Sequence, residues 1–268
     1  MIYSAENIAN DFLELSSEQR LGILLRLYEK KLTISSMAKL LDATVPEVYR
    51  NFQRLVKAEL IVKDTDDFYH LTTYGKTVCA QTQSLSFVSK NKKYFKNHDF
   101  GDIPTKFIQR IGVLDSGQHV KGFVKVFEQW KELYKSANEY IFNTLSEVPY
   151  TMDLVEPLVE NLKKGVRVNS IFSESAIIPK ERKKVLSKID FKKFIEKGLL
   201  ERRMRKDVQV VVVLNEKEAG IMFPIRDEAD ISEMFYSSDP LFHEWCLDYF
   251  RYCWHDSGTF QENKLSEL

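Results

Sequence analysis

Side chains that can bind nucleic acid recur at helical spacing between residues 44 and 57. Arg50 and Gln53 lie three residues apart, so they would share one face of a helix. Arginine can form two hydrogen bonds with guanine, glutamine can do the same with adenine, and further cations on the same helix can contact phosphates. This spacing predicts a helix that reads base pairs in the major groove. The residues expected on its outward face are Thr44, Glu47, Tyr49, Arg50, Gln53, Arg54 and Lys57.

Two predicted helices and a tight turn would position that face. Thr33 is a capping residue for a helix over 34–42, Ala43-Thr44 forms the turn, and Val45-Pro46-Glu47 opens the second helix, which runs to about Leu60. A helix fits the major groove only when a neighbouring helix holds it at a steep angle, and a short turn provides that arrangement.

A β-hairpin is predicted directly after the second helix. Its strands are Ile61–Lys63 and Phe68–Leu71, joined by Asp64-Thr65-Asp66-Asp67. Lys63, Thr65, Tyr69 and His70 are the hairpin residues that we expect at the DNA. The three aspartates at the tip oppose strong backbone contact, because like charge repels phosphate.

The order helix–turn–helix–hairpin is that of a winged helix-turn-helix, and we assign residues 1–90 to such a DNA-binding domain. Further helices are predicted over 6–15, 18–31 and 74–88. Residues 91–103 are polar, basic and aperiodic, which predicts a linker. Residues 104–268 would then form an α/β domain, so the expected fold class is α+β.

Strands and helices alternate through the second predicted domain, which indicates a sheet that is parallel in part. The expected helices cover 103–114, 120–137, 152–164, 179–199 and 239–254. The expected strands cover 140–143, 166–172, 200–205, 208–214, 219–225 and 234–236.

Residues 16–76 resemble the winged-helix domain of archaeal and bacterial ArsR-like regulators. The resemblance lies in the run from Thr33 to Leu55, in Leu60-Ile61-Val62 before the hairpin, and in Leu71-Thr72-Thr73-Tyr74-Gly75-Lys76 after it. It implies a sequence-specific transcriptional regulator that binds double-stranded DNA as a homodimer.

The domain order, with the aromatic helix 239–254 near the C-terminus, is similar to archaeal regulators with a methanogen output domain. That similarity implies a domain of phospholipase D-like shape that senses a small-molecule effector or mediates dimerisation. Phospholipase D enzymes need a His-x-Lys-x4-Asp motif. Among the five histidines, His119 has Lys121 two residues later, but Val126 stands where the motif needs aspartate, so the complete motif is absent from the sequence. We therefore expect no phosphodiesterase activity.

No other recognisable catalytic motif is present, so we expect no enzyme activity and no cofactor. His243, Cys246, Cys253 and His255 could suit zinc, but thiols within an aromatic helix are more often core residues, and we predict no metal site. Arg167, Arg203 and Arg205 lie on or beside strands and could bind an acidic ligand. The alternative is a solvated surface that faces the acidic C-terminal segment.

Composition limits the class of protein. The chain of 268 residues has 39 basic and 39 acidic residues, no apolar run long enough to span a membrane, and three cysteines, an odd number. We see no secretory signal, so a cytoplasmic location without membrane contact is the expectation. Charge is uneven: residues 161–206 contain 15 basic against 5 acidic residues, and residues 207–268 contain 4 against 13.

Two other classes of function stay open at this point. Residues 1–90 contain 11 basic and 11 acidic residues, so the winged helix could instead be a protein-interaction module in a transcription-associated complex. An enzyme with a C-terminal active site is the third hypothesis, and it would need a pocket with paired titratable groups.

Overall fold

The computed structural model describes residues 5–147, 152–178 and 189–267. The chain divides into two compact units, Met1–Leu85 and Ser86–Leu268. Both contain helices and strands, so the chain belongs to the mixed α and β class, as predicted.

The first unit contains four helices, a hairpin and the start of a fifth helix. The bounds are α1 Ala5–Leu15, α2 Glu18–Glu29, α3 Ile34–Leu40, α4 Val45–Lys57, β1 Ile61–Lys63, β2 Tyr69–Leu71 and α5 Thr73–Lys90. These elements lie at the predicted positions. Their apolar faces meet in one core, in which Ile23, Leu24, Met37, Phe52 and Leu55 have no exposed surface.

The second unit is built around a mixed sheet. Its helices are α6 Thr105–Ile108, α7 Phe123–Ser136, α8 Met152–Lys164, α9 Phe191–Glu196 and α10 Pro240–His255. Its strands are β3 Gln118–Lys121, β4 Tyr140–Glu147, β5 Arg167–Ile178, β6 Leu200–Arg205, β7 Val211–Asn215, β8 Ala219–Met222, β9 Glu233–Ser237, β10 Gly258–Thr259 and β11 Ser266–Glu267. The described part of this unit also contains two 3-10 turns, Ile111–Ser116 and Glu262–Lys264.

Within the described residues the strand order is β10-β6-β5-β4-β7-β8-β9-β3, and β11 pairs with β5. Strands β4, β5 and β6 are mutually parallel, and β7, β8, β9 and β3 continue the sheet in antiparallel pairs. Strands β7 and β8 are buried along their whole length, which explains their continuous apolar sequences.

Three expectations for the second unit differ from the structure. The predicted linker 91–103 packs into the second core, where Tyr94 and Ile103 are each 5% exposed, and the units divide between Leu85 and Ser86 instead. Helix 103–114 is a single turn followed by a 3-10 turn, and the predicted start of helix 120–137 is strand β3, because residues 118–121 pair with β9. Most of the predicted helix 179–199 lies outside the described residues, which resume at Ile189.

The three cysteines are free thiols, and all of them are buried. Burial raises the pKa of Cys79 to about 11. Cys246 and Cys253 lie inside α10 among Trp245, Tyr249 and Phe250 and belong to the core of the second unit. Among the helices of the described residues, none combines the length and the apolar character that a membrane crossing requires.

Candidate nucleic-acid interface

The turn between α3 and α4 is fixed by backbone geometry. The Thr33 hydroxyl accepts a hydrogen bond from the Ser36 N–H at 3.3 Å and thereby caps α3. At the other end of α3, Asp42 adopts a left-handed conformation with φ of 49°, and the Ala43 N–H donates to the Ala38 carbonyl at 3.0 Å. Four residues connect the two helices, and α4 packs directly on α3.

Thr44 and Glu47 form the N-terminal cap of α4. One oxygen of Glu47 accepts hydrogen bonds from the Thr44 N–H at 3.0 Å and from the Thr44 hydroxyl at 2.7 Å. These bonds hold the pKa of Glu47 below its ordinary value of 4.5. Both residues are among the predicted DNA contacts, and in the structure their side chains also start the helix.

Helix α4 has one buried face and one exposed face. Val48, Phe52 and Leu55 face the core with at most 1% exposure. On the opposite face, Arg50, Gln53 and Lys57 are exposed, and their spacing of three, four and seven residues places them in one row. None of the three forms a side-chain hydrogen bond or ion pair with the residues that the structure describes.

Tyr49 flanks this row. Its side chain is 51% exposed, which keeps it available for contact with a partner.

Arg54 lies beside the row, but its charge is compensated. Its guanidinium binds Glu14 of α1 through two hydrogen bonds, Nη2–Oε1 at 2.6 Å and Nε–Oε2 at 3.1 Å. The same carboxylate pairs with the buried Arg20 at 2.8 Å. Sequence reasoning missed Glu14, because a contact across forty residues leaves no local signal.

The hairpin presents Tyr69 differently from the prediction. Tyr69 is 4% exposed, and its ring packs edge-on against Phe52 with centroids 4.6 Å apart. Its backbone also pairs with Leu32, with hydrogen bonds of 2.9 and 3.1 Å. Tyr69 and Leu71 alternate with His70 along β2, so they face the core, and Tyr69 is removed from the candidate interface.

Two aspartates of the hairpin form ion pairs with lysines, one inside the hairpin and one outside it. Lys63 binds Asp67 at 2.5 Å, and Lys31, which sequence reasoning did not include, binds Asp64 at 3.0 Å. Asp64 also accepts hydrogen bonds from the backbone of Asp66 and Phe68, which builds the turn. The bond from Lys31, assisted by these N–H groups, lowers the pKa of Asp64.

The two other hairpin candidates keep some exposure. Thr65 is exposed in the turn, and His70 is half-buried with its Nδ1 3.3 Å from the Leu71 carbonyl. The hairpin thus offers a hydroxyl and an imidazole for contact with DNA. Its aspartates neutralise the nearby lysines, which leaves little positive charge for phosphate.

After the hairpin, Thr72 and Gly75 fix the start of α5. The Thr72 hydroxyl donates to the Glu59 carbonyl at 2.7 Å and accepts from the Gly75 N–H at 3.0 Å. A Cβ at Gly75 would collide with the carbonyl oxygen of Leu60, so this position requires glycine. This close approach explains the Leu-Thr-x-x-Gly pattern of the sequence.

The arginines predicted to bind a ligand in the second unit have different surroundings. Arg205 binds Asp102 at 2.5 Å and Asp256 at 3.1 Å, and its side chain is 13% exposed. Arg203 binds Glu201 at 3.0 Å and stacks on Trp254, 4.3 Å from the ring centroid. Both guanidiniums are paired with groups of the same unit. Arg167 is exposed at the start of β5.

Comparison with known proteins gives no family. No protein-family profile matches the sequence, and no curated protein is similar to it. The archaeal chromatin protein TrmBL2, described as showing a novel mode of DNA binding, is similar in structure, with a TM-score of 0.43 and 13% identity over 92% of this chain and 95% of that chain.

Two smaller proteins are similar to part of the chain. NucT from Helicobacter pylori has a TM-score of 0.41 and 11% identity over 54% of this chain and 98% of its own. Nuc from Salmonella typhimurium, a phospholipase D family member, has a TM-score of 0.36 and 15% identity over 55% of this chain and 99% of its own.

Proposed function

We propose that the first unit is a winged helix-turn-helix that binds duplex DNA, with α4 as the recognition helix. The observation that carries this proposal is the exposed row of Arg50, Gln53 and Lys57 on α4. The Arg50 guanidinium can form two hydrogen bonds with guanine, and the Gln53 amide can form two with adenine. Lys57 supplies a positive charge for a phosphate.

We further propose that the protein is a sequence-specific regulator that acts as a homodimer. Apolar side chains on two helices of the first unit support a contact between copies: Phe12 and Leu13 of α1 are 61% and 58% exposed, and Leu85 of α5 is 70% exposed. A symmetric dimer would bind two half-sites about one helical turn apart. In this proposal the second unit adds dimer contacts or senses an effector.

The test is selection of duplex DNA from a randomised pool by the purified chain. A symmetric enriched site is expected, and the double variant Arg50→Ala/Gln53→Ala should lose the preference for it. Loss of one well-placed two-bond base contact costs about 1–3 kcal/mol, so affinity for the selected site should fall at least tenfold.

Arg26→Ala/Gln83→Ala is the matched control, because it removes the same two residue types from exposed positions on α2 and α5. It should select the same site as the unmodified chain. If Arg50→Ala/Gln53→Ala retained full site selectivity, α4 would not be the recognition helix.

The acidic hairpin favours one alternative, a winged helix that binds protein. Asp64, Asp66 and Asp67 lie together at the turn, and Asp64 and Asp67 already neutralise the nearby lysines. Salt dependence separates the two functions, since DNA affinity falls steeply with salt concentration and an apolar protein interface changes little.

A further inference from the structure

A groove between α6 and α10 in the second unit gathers positive charge. The basic side chains that line it are Lys106, Arg110, Arg251 and His255. Among its described lining residues Asp248 is the one carboxylate. The excess of basic side chains in the groove contrasts with the C-terminal segment that contains α10, because residues 207–268 contain four basic residues against thirteen acidic ones.

Aromatic rings hold Lys106 in the groove. Its Nζ atom lies 4.6 Å from the ring centroid of Tyr252 and 5.2 Å from that of Phe107. Phe107 is 4% exposed and packs against Trp245, whose indole N–H donates to the Phe107 carbonyl at 3.1 Å. Lys106 is therefore positioned by the core ring of Phe107 and the partly buried ring of Tyr252, and it forms no ion pair with the carboxylates that the structure describes.

The other cations differ in availability. Arg110 binds Asp248 at 3.0 Å. Arg251 is exposed and forms no ion pair within the described ranges. Lys106 and Arg251 thus leave two positive charges in the groove that no carboxylate of the described part of the chain neutralises.

Two of the last carbonyls of α10, which would repel an anion, already accept hydrogen bonds. The Trp254 carbonyl accepts from Arg203 at 3.1 Å and from the Ser257 hydroxyl at 2.7 Å. The Tyr252 carbonyl accepts from the Asp256 N–H at 3.2 Å. These bonds reduce the negative field at the helix end beside the groove.

We propose that this groove binds a small phosphate monoester, with the phosphate held by Lys106 and Arg251. The guanidinium of arginine matches phosphate oxygens in geometry, and lysine adds a compact charge. The sugar or base attached to the phosphate would pack against the partly exposed ring of Tyr252. This proposal does not depend on DNA binding by α4.

Isothermal titration calorimetry on the full chain, without DNA, tests the proposal. The probes are adenosine 5′-monophosphate, ribose 5-phosphate and inorganic phosphate. At least one of the two monoesters should bind with Kd below about 1 mM and more tightly than inorganic phosphate. Comparison of the two monoesters assigns the source as nucleotide or sugar phosphate.

Two variants should weaken binding and one should strengthen it. Lys106→Gln and Arg251→Gln should each raise Kd about tenfold, the scale of a lost charge-assisted hydrogen bond. Asp248→Asn removes the competing carboxylate and should lower Kd about threefold, the scale of an exposed charge pair. Lys125→Gln, which removes an exposed charge from α7, is the control and should leave Kd unchanged.

The proposal is overturned if neither monoester binds, or if Lys106→Gln and Arg251→Gln bind as tightly as the unmodified chain. It is also overturned if Lys106→Gln and Arg251→Gln weaken binding of duplex DNA while calorimetry detects no binding of either monoester to the unmodified chain or to any variant. Arg50→Ala/Gln53→Ala should bind the monoester normally, so failure of the DNA-binding proposal would be recognised separately.

Discussion

Arg54 and Lys57 lie three residues apart on α4, yet only Lys57 has an uncompensated charge. Glu14 holds Arg54 through both of its oxygens, at 2.6 and 3.1 Å. A cation that already has a carboxylate partner releases fewer counterions from DNA when it contacts a phosphate. The two residues should therefore contribute unequally to the salt dependence of binding.

Lys57→Ala should reduce the slope of log affinity against log salt concentration by about one, and Arg54→Ala should reduce it by much less. Both slopes are measured by fluorescence anisotropy with the same DNA duplex over a range of salt concentrations. Glu14→Gln is the control, because it frees Arg54 and should increase the slope. Equal losses for Lys57→Ala and Arg54→Ala would contradict the role assigned to Glu14.

Glu47 gives the first unit a pH-dependent contribution to stability. Its pKa is lowered in the folded chain by the hydrogen bonds from Thr44, so the charged carboxylate favours folding. The contribution is present above the ordinary value of 4.5 and is lost as pH falls through the lower, folded pKa. Glu47→Gln should therefore lower the melting temperature at pH 7, and this difference should shrink below about pH 4.5.

Thermal unfolding followed by circular dichroism, from pH 7 to pH 3, measures this difference. Glu29→Gln, which removes an exposed carboxylate at the end of α2, serves as the control. A difference for Glu47→Gln that stayed constant down to pH 3 would mean that the charge of Glu47 does not contribute through the cap.

At the scale of elements, two glycines in the first unit should respond oppositely to alanine. Gly75→Ala should destabilise the chain by about 2 kcal/mol, because its Cβ would meet the Leu60 carbonyl. Gly22 lies inside α2, where a Cβ would meet only Leu41 at 3.4 Å, so Gly22→Ala should stabilise by about 0.5–1 kcal/mol. Urea denaturation of both variants checks the two signs.

The elements of the first unit could be predicted because their signals are local. Thr33 and Thr44 precede helices, Pro46 lies in the first turn of α4, and the aspartates mark the hairpin turn. Strand β3 could not be predicted, since it exists through pairing with β9, more than a hundred residues away. The aromatic residues Tyr94 and Phe95 argued against a linker over 91–103, since large aromatic side chains are usually buried. The basic residues around them outweighed this signal in the prediction.

For the candidate interface, residue type and helical spacing identified the exposed row on α4. They did not show which neighbouring cations are neutralised by ion pairs. The pairs Glu14–Arg54 and Lys31–Asp64 join residues that are distant in sequence. Tyr69 was misplaced for a different reason. The alternation of a three-residue strand is too short to show which face is buried.

At the scale of the whole molecule, the two separate cores predict separate responses to mutation. Phe52 has no exposed surface and lies in the first core, so Phe52→Ala should cost about 3–5 kcal/mol there. Trp130, Trp245 and Trp254, the three tryptophans of the chain, all lie in the second unit. Tryptophan fluorescence therefore follows the second unit, whereas far-ultraviolet circular dichroism follows both.

Phe52→Ala should move part of the unfolding transition seen by circular dichroism to a lower urea concentration. The urea midpoint seen by tryptophan fluorescence should stay unchanged. Phe235→Ala, which alters the second core, should shift the fluorescence midpoint. A fluorescence shift in Phe52→Ala as large as that in Phe235→Ala would show that the two units unfold as one.

The two lysines that pair with aspartates of the hairpin affect how such a protein would find its sites. With Lys31 and Lys63 each held by an aspartate, the proposed complex would rest on few phosphate contacts. Affinity for arbitrary sequence would then be low at physiological salt, and sliding along the duplex would be brief. The protein would search mainly by repeated dissociation through solution, and its occupancy of a genome would be concentrated at sites that satisfy Arg50 and Gln53.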